Sequence, residues 1–229
     1  MKNKLKLIIY LLFIFTIHHS CKQKESKELP DQFLHISIPV GDIQQIKLSE
    51  IISDFKAVKL EFTENSMLHS VRKVLFFNDF LYVLDTFGAK GVLVFDMEGN
   101  FIRKIGTSGR GPGQYTLPQD FLIDREKKEI EILANRKIYY YSASGEYIRH
   151  LNLPFTGINF IKDNNEYFFA ITGKEDYKVV KTNLKGKLKN KYLPTHKNYD
   201  RGVAFCCFIP QVNGQLLYRP IRRDKIFAL

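Results

Sequence analysis

Three glycines set the first constraint on the fold. Gly99, Gly145 and Gly186 recur at spacings of 46 and 41 residues, and the chain around each follows one pattern. A short apolar run is followed by a turn, a second β-branched or aromatic run, an x-x-x-Gly turn and an alternating final segment. The first unit runs through Leu81–Asp85 and Asp96-Met97-Glu98-Gly99, the second through Ile130–Leu133 and Ser142-Ala143-Ser144-Gly145, and the third, weaker one through Tyr167–Ile171 and Asn183-Leu184-Lys185-Gly186. Each turn opens with a side chain able to accept bonds from the backbone that follows and closes with a residue that tolerates positive φ. Four short strands in each unit of about 40–50 residues is the signature of a β-propeller, whose sheets bury by radial packing what no single sheet can cover. A helical solenoid of similar period is excluded. The runs Leu81–Leu84, Val92–Phe95 and Ile138–Tyr141 are too short for helices and too rich in Val, Ile, Tyr and Phe.

The expected fold is therefore all-β, with four-stranded antiparallel blades at 67–116, 117–154 and 155–194 and a partial blade at 195–229. A hydrophobic content of 45%, 14% of the chain being aromatic, is enough to build such a core and argues against disorder. The one helical signal is short and lies near 49–55, where Ser49 can cap and Ile51, Ile52 and Phe55 share a face. Ile43–Lys47 and Ala57–Phe62, within an N-terminal closing segment at 32–66, read as strands of the kind that complete a propeller's last blade.

The first 20 residues read as an export signal. Lys2, Lys4 and Lys6 precede the uncharged run Leu7–Ile17, and eleven helical residues span only about 16 Å of a hydrocarbon core about 30 Å thick. Ser20-Cys21, followed by the polar stretch Lys22–Glu28, resembles the signal of a bacterial lipoprotein, although His18 stands where an aliphatic residue is usual. The resemblance implies lipid attachment at Cys21, with 21–31 a flexible tether to the membrane. The alternative is a conventionally cleaved secretory peptide with Cys21 an incidental thiol. Without the signal's lysines the chain carries 32 Lys and Arg against 24 Asp and Glu, a balance of +8. These charges are dispersed, with only Arg219–Arg223 locally dense, so no nucleic-acid partner is expected.

The phrase Phe95-Asp96-x-x-Gly99-x-Phe101-Ile102-x-x-Ile105-Gly106, then Gly109-x-Gly111-Pro112-Gly113-x-Tyr115 and Pro118-x-Asp120-Phe121, resembles the six-bladed β-propeller lipoproteins of Bacteroidetes, relatives of the NHL-repeat propellers. The resemblance implies export to the cell envelope, at the inner or outer membrane, and leaves the biochemical role open. Six blades would need about 250 residues beyond the tether, whereas residues 31–229 supply 199. The count predicts a C-terminally truncated ring, with exposed sheet faces that favour self-association.

The glycine loop at 106–115 is neither a P-loop, because Pro112 stands where the lysine must be, nor a dinucleotide loop, because Gln114 replaces the third glycine. An inter-blade crossover is the expected role, with ligand lining by Arg110, Gly111 and Gly113, together with Asp120 and Arg136, as the alternative. No Gly-x-Ser-x-Gly turn and no paired-histidine spacing is present, so neither a catalytic set nor a metal site is expected, and no cofactor is implied. Asp120 and Asp124 read as turn carboxylates satisfied by backbone amides. Cys206 and Cys207 point to opposite faces of a strand, with a strained vicinal disulfide as the alternative. Tyr139 and Tyr141 should fill one inter-blade core while Tyr140 faces the other way; stacking on a sugar is the rival reading.

These readings lead to a binding or scaffold module with a glycan or protein ligand at the mouth of the central channel. The rival is a lyase or hydrolase on the same scaffold, for which Arg110, Asp120, Arg136 and Arg223 are the plausible contributors. Replacing Cys21 by Ser should move the protein from the membrane to the soluble fraction without altering its circular dichroism; retention on membranes would show that the anchor is something other than this lipid.

Overall fold

The computed structural model of the protein describes residues 47–171, 176–194, 207–212, 215–219 and 226–229. The signal, Cys21, the tether and residues 32–46 lie outside the described residues, as do Cys206 and Arg223.

Among the described residues the architecture is an all-β propeller of four antiparallel sheets with almost no helix. The first blade comprises β1 (Val71–Phe77), β2 (Phe80–Asp85), β3 (Gly91–Asp96) and β4 (Phe101–Ile105). A crossover carrying two short parallel strands, β5 (Thr107–Ser108) and β6 (Gln114–Tyr115), leads to the second blade. That blade comprises β7 (Pro118–Asp124), β8 (Glu129–Ala134), β9 (Lys137–Ser142) and β10 (Tyr147–Asn152). The third comprises β11 (Gly157–Asp163), β12 (Glu166–Ile171), β13 (Tyr177–Asn183) and β14 (Leu188–Pro194). In the fourth, β15 (Cys207–Val212), β16 (Gln215–Arg219) and β17 (Phe227–Ala228) are described. The sheets are simple meanders, and the first strands of successive blades, β1, β7, β11 and β15, lie side by side.

The repeated turn is built the same way three times. Gly99, Gly145 and Gly186 donate their amides to the carbonyls of Asp96, Ser142 and Asn183 at 3.0–3.1 Å, and the side chains of those three residues accept amides that follow. All three glycines have positive φ, between +74° and +95°. They also sit close to what precedes their blade. A side chain on Gly145 would meet the backbone of Lys104 in β4, and one on Gly186 would meet Asn152 in β10.

For Gly99 the neighbour is Lys59, whose carbonyl oxygen would lie 2.1 Å from an added Cβ. Residues 58–61 thus hold, against the first blade, the place that β4 and β10 hold against the second and third. The expectation of a strand at Ala57–Phe62 needs correction: this segment is a strap and joins no ladder. It meets a turn instead of a strand edge, so it makes one backbone bond there, Glu61 N to Gly99 O at 2.7 Å, while the Glu61 carboxylate accepts the Phe101 amide. Val58 and Leu60 pack over Leu81, Val83, Leu93 and Phe95. The helix is also shorter than its signal. It covers Leu48–Ile51 (α1), because the Asp54 carboxylate accepts the Phe55 amide at 2.7 Å and holds the backbone in a local turn.

Two larger cores separate the blades. Tyr82, Leu84, Val92, Val94, Tyr115, Phe121, Ile130, Ile132 and Tyr141 fill the space between the first and second. Leu133, Ile138, Tyr140, Phe160, Tyr167, Phe169 and Val180 fill that between the second and third. Tyr139 and Tyr141 face the first core and Tyr140 the second, as strand alternation requires.

Gly99→Ala adds both a clash with backbone and an unfavourable φ, so it should lower stability by more than about 1 kcal/mol in urea unfolding. Gly111→Ala, whose new methyl would meet only the flexible Gln114 side chain, should change it by less than about 0.5 kcal/mol. Equal effects would contradict the close approach of the strap.

Candidate functional site

Three of the inner strands, β1, β7 and β11, share a defect. Each carries one extra residue near its start: Arg72 in β1, Gln119 in β7 and Ile158 in β11. The residue after each bulge, Lys73, Asp120 and Asn159, therefore takes an equivalent place in its blade, opposite Leu84, Leu133 and Ala170. These three side chains bond to one another. One oxygen of Asp120 accepts Lys73 Nζ at 2.9 Å and the Phe121 amide at 2.9 Å, while the other accepts Asn159 Nδ2 at 2.6 Å and the Phe160 amide at 2.9 Å. Asp120 is 2% exposed. A carboxylate has about four acceptor positions, and here all four are filled by donors from three blades. Contrary to expectation, Asp120 belongs to no solvated turn; it lies inside β7 and joins the inner strands.

The remaining sequence-derived candidates sit at the end of the sheets where the inner strands begin. Arg110 and Gly111 are exposed on the crossover, and Gly113 is half-buried there. The loop is closed internally by Gly109 N to Tyr115 O and Gly111 N to Gln114 Oε1, and it is held to the second blade by Tyr141 Oη donating to Gly113 O at 2.6 Å. Tyr115 anchors it by donating to Ile105 O. Arg136 lies on the adjacent β8–β9 hairpin, which Asn135 joins to Thr116, and its guanidinium donates to the carbonyls of Leu153 and Pro154. The crossover thus meets the Arg136 hairpin through Thr116, while its Gly113 lies against Tyr141 and Tyr147 on the outer strands β9 and β10, and Asp120 lies on the inner strand β7.

Asp85, at the end of β2, ties another turn. Burial acts to raise its pKa, but the amides of His69, Gly88, Ala89 and Phe87 outweigh burial and hold it below the usual carboxylate range.

The other end of the second and third blades holds a feature that the sequence reading missed. Glu131 in β8 is 2% exposed, accepts Tyr167 Oη at 2.6 Å, and Tyr167 lies 3.2 Å from Tyr140 Oη. Burial pushes the Glu131 carboxyl up and the Tyr140 phenol to about 12. Glu131 floors a cleft of about 240 Å³ bordered by Lys127, Arg149, Lys162 and Lys185, and it touches a second cavity of about 470 Å³. Two of the cations are neutralised. Arg149 makes paired 2.8 Å bonds to Glu129 and stacks 3.9 Å from the Tyr140 ring, and Lys162 bonds Asp124 at 2.6 Å. The signal for this site was the charge set between apolar residues in Ile130-Glu131-Ile132-Leu133 of β8, which falls opposite Tyr140. Among the described residues no group of three or more His, Cys, Asp or Glu side chains is placed to hold a metal.

A family model described as a domain of unknown function (DUF4934) matches residues 34–229. Among solved structures, a candidate exported protein of Bacteroides fragilis superimposes with a TM-score of 0.65 at 20% identity, over 81% of this chain and 55% of its own. A member of the duf4221 family from Bacteroides vulgatus does so with a TM-score of 0.51 at 12% identity, over 75% and 57%. At these identities the likeness is one of fold, and the chain spans little more than half the length of either protein.

Asp120→Ala should cost about 2–4 kcal/mol in urea unfolding, because it leaves Lys73 and Asn159 without their shared acceptor. Arg110→Ala should cost less than about 0.5 kcal/mol. Similar costs for the two would contradict the structural role of the belt.

Proposed function

The chain belongs to the family described as a domain of unknown function (DUF4934), and from that premise we propose that it is an exported, lipid-anchored binding or scaffold module of the bacterial cell envelope. The observation that carries this reading is the saturation of Asp120. A general base or a covalent nucleophile needs a free lone pair directed at substrate, and Asp120, the acidic residue among the sequence-derived candidates, has none. Arg136 is likewise engaged with backbone carbonyls. The exposed Arg110 and the glycine loop suit recognition by contact, and a glycan or protein ligand is the proposed partner. The lipoprotein-like signal ending at Cys21 and the likeness to a candidate exported protein support the envelope location. The phrase from Phe95 to Phe121 supports a six-bladed, NHL-like ring.

The test is a survey of glycans and envelope proteins against the full chain purified from membranes in detergent, with each bound ligand recovered and weighed by mass spectrometry. Ligand recovered unchanged, and bound more weakly by Arg110→Ala, is the expected result. Conversion of a ligand to product by a folded protein, lost on Asp120→Asn, would overturn the reading in favour of an enzyme.

A further inference from the structure

We propose that the cleft between the second and third blades binds a hydroxylated carboxylic acid, a ring-sized group carrying one carboxylate beside several hydroxyls, as in a uronic acid. This rests on the reading of the protein as a binder but places a site away from the channel mouth, at the opposite ends of β8 and β12.

Size, floor and rim each contribute. At about 240 Å³ the cleft is smaller than the pockets of roughly 300–1,000 Å³ that enclose drug-sized ligands, and it suits a single ring. Its floor is polar where apolar residues would be less costly. A carboxyl buried without need is expensive, and leucine at position 131 would extend the apolar contacts that Leu133 and Phe169 already make in this interface. Instead Glu131, Tyr167 and Tyr140 form a chain of oxygen atoms at 2.6 and 3.2 Å. Carboxyl and phenol groups both donate and accept when neutral, which matches the mixed demands of adjacent sugar hydroxyls.

The rim supplies charge. Lys127 stands in the β7–β8 turn and Lys185 in the β13–β14 turn, both exposed. Arg149 and Lys162 are matched by Glu129 and Asp124, whereas among the described residues neither Lys127 nor Lys185 has a carboxylate within ion-pair distance. Lys127 also feels Asp124 and Glu129 at longer range, but four cations against those two carboxylates leave the mouth with an excess of positive charge that attracts an anion. The Arg149 guanidinium covers the Tyr140 ring, so recognition comes from hydrogen bonds and charge, without stacking on that face. An extended acidic peptide would meet the same lysines but has no use for the floor.

Titration calorimetry on the full chain in detergent, with glucuronic acid, galacturonic acid, glucose and a Glu-rich peptide as probes, tests the site. A uronic acid should bind at least about tenfold more tightly than glucose. Lys127→Glu combined with Lys185→Glu should weaken uronate binding by about tenfold or more, since each reversal turns an attraction into a repulsion. Glu131→Gln should keep affinity within about threefold, while Glu131→Leu should lose about tenfold. No saturable binding of either uronic acid below about 10 mM, equal binding of glucose, binding of the peptide alone, or an undiminished double variant would each overturn the proposal. Uronate binding lost on Arg110→Ala but kept in the double lysine variant would sink the cleft and favour the channel mouth. If the wider ligand survey also finds nothing, the binding reading itself falls.

Discussion

The four hydrogen bonds to Asp120 are the interaction around which the inner part of the molecule is organised. Blades of a propeller are joined covalently only through crossovers near the sheet ends, so their inner strands would otherwise be held by apolar packing, which does not set distance along the strand. One carboxylate receiving a lysine from β1, an amide and a carboxamide from β11, and an amide from its own strand fixes three strands to a common level. The partial exposure of Lys73, at 26% of its side chain, lowers the desolvation cost that fully buried pairs incur. Asp124 and Lys162 repeat the device between β7 and β11.

Legibility in the sequence followed the range of the interactions. The turns at Asp96–Gly99, Ser142–Gly145 and Asn183–Gly186 are closed by bonds within five residues, so their residue types announce them. The crossover role of the glycine loop was legible for the same reason, since Gly109 bonds Tyr115 and Gly111 bonds Gln114 within the loop. Asp120 misled because its partners lie 39 to 47 residues away, and no local pattern says that a carboxylate will meet Lys73 and Asn159. Glu131 was passed over on similar grounds: its partner Tyr167 is 36 residues distant, in the next blade. The strap at 58–61 shows the converse error, in which β propensity was present but the neighbour was a turn without a free strand edge.

The two ends of the sheets divide the molecule's chemistry. Where the inner strands begin, loops are spent on joining blades: Tyr141 to Gly113, Asn135 to Thr116, Arg136 to Leu153 and Pro154, and Thr86 to Pro118. Where they finish, ion pairs accumulate instead: Arg149 with Glu129, Lys162 with Asp124, and Lys181 and Lys189 with Glu166.

The bulges in β1, β7 and β11 have a consequence for the parity of the chain. Side chains in a strand alternate in face, so one inserted residue inverts the phase of everything after it. Arg72, Gln119 and Ile158 share neither charge, size nor polarity, yet each performs the same inversion and delivers Lys73, Asp120 or Asn159 to the neighbouring strand. Deleting any one of them would turn four or five following residues inside out while altering no residue of the belt itself. At these three places the fold depends on the number of residues more than on which residue fills the position.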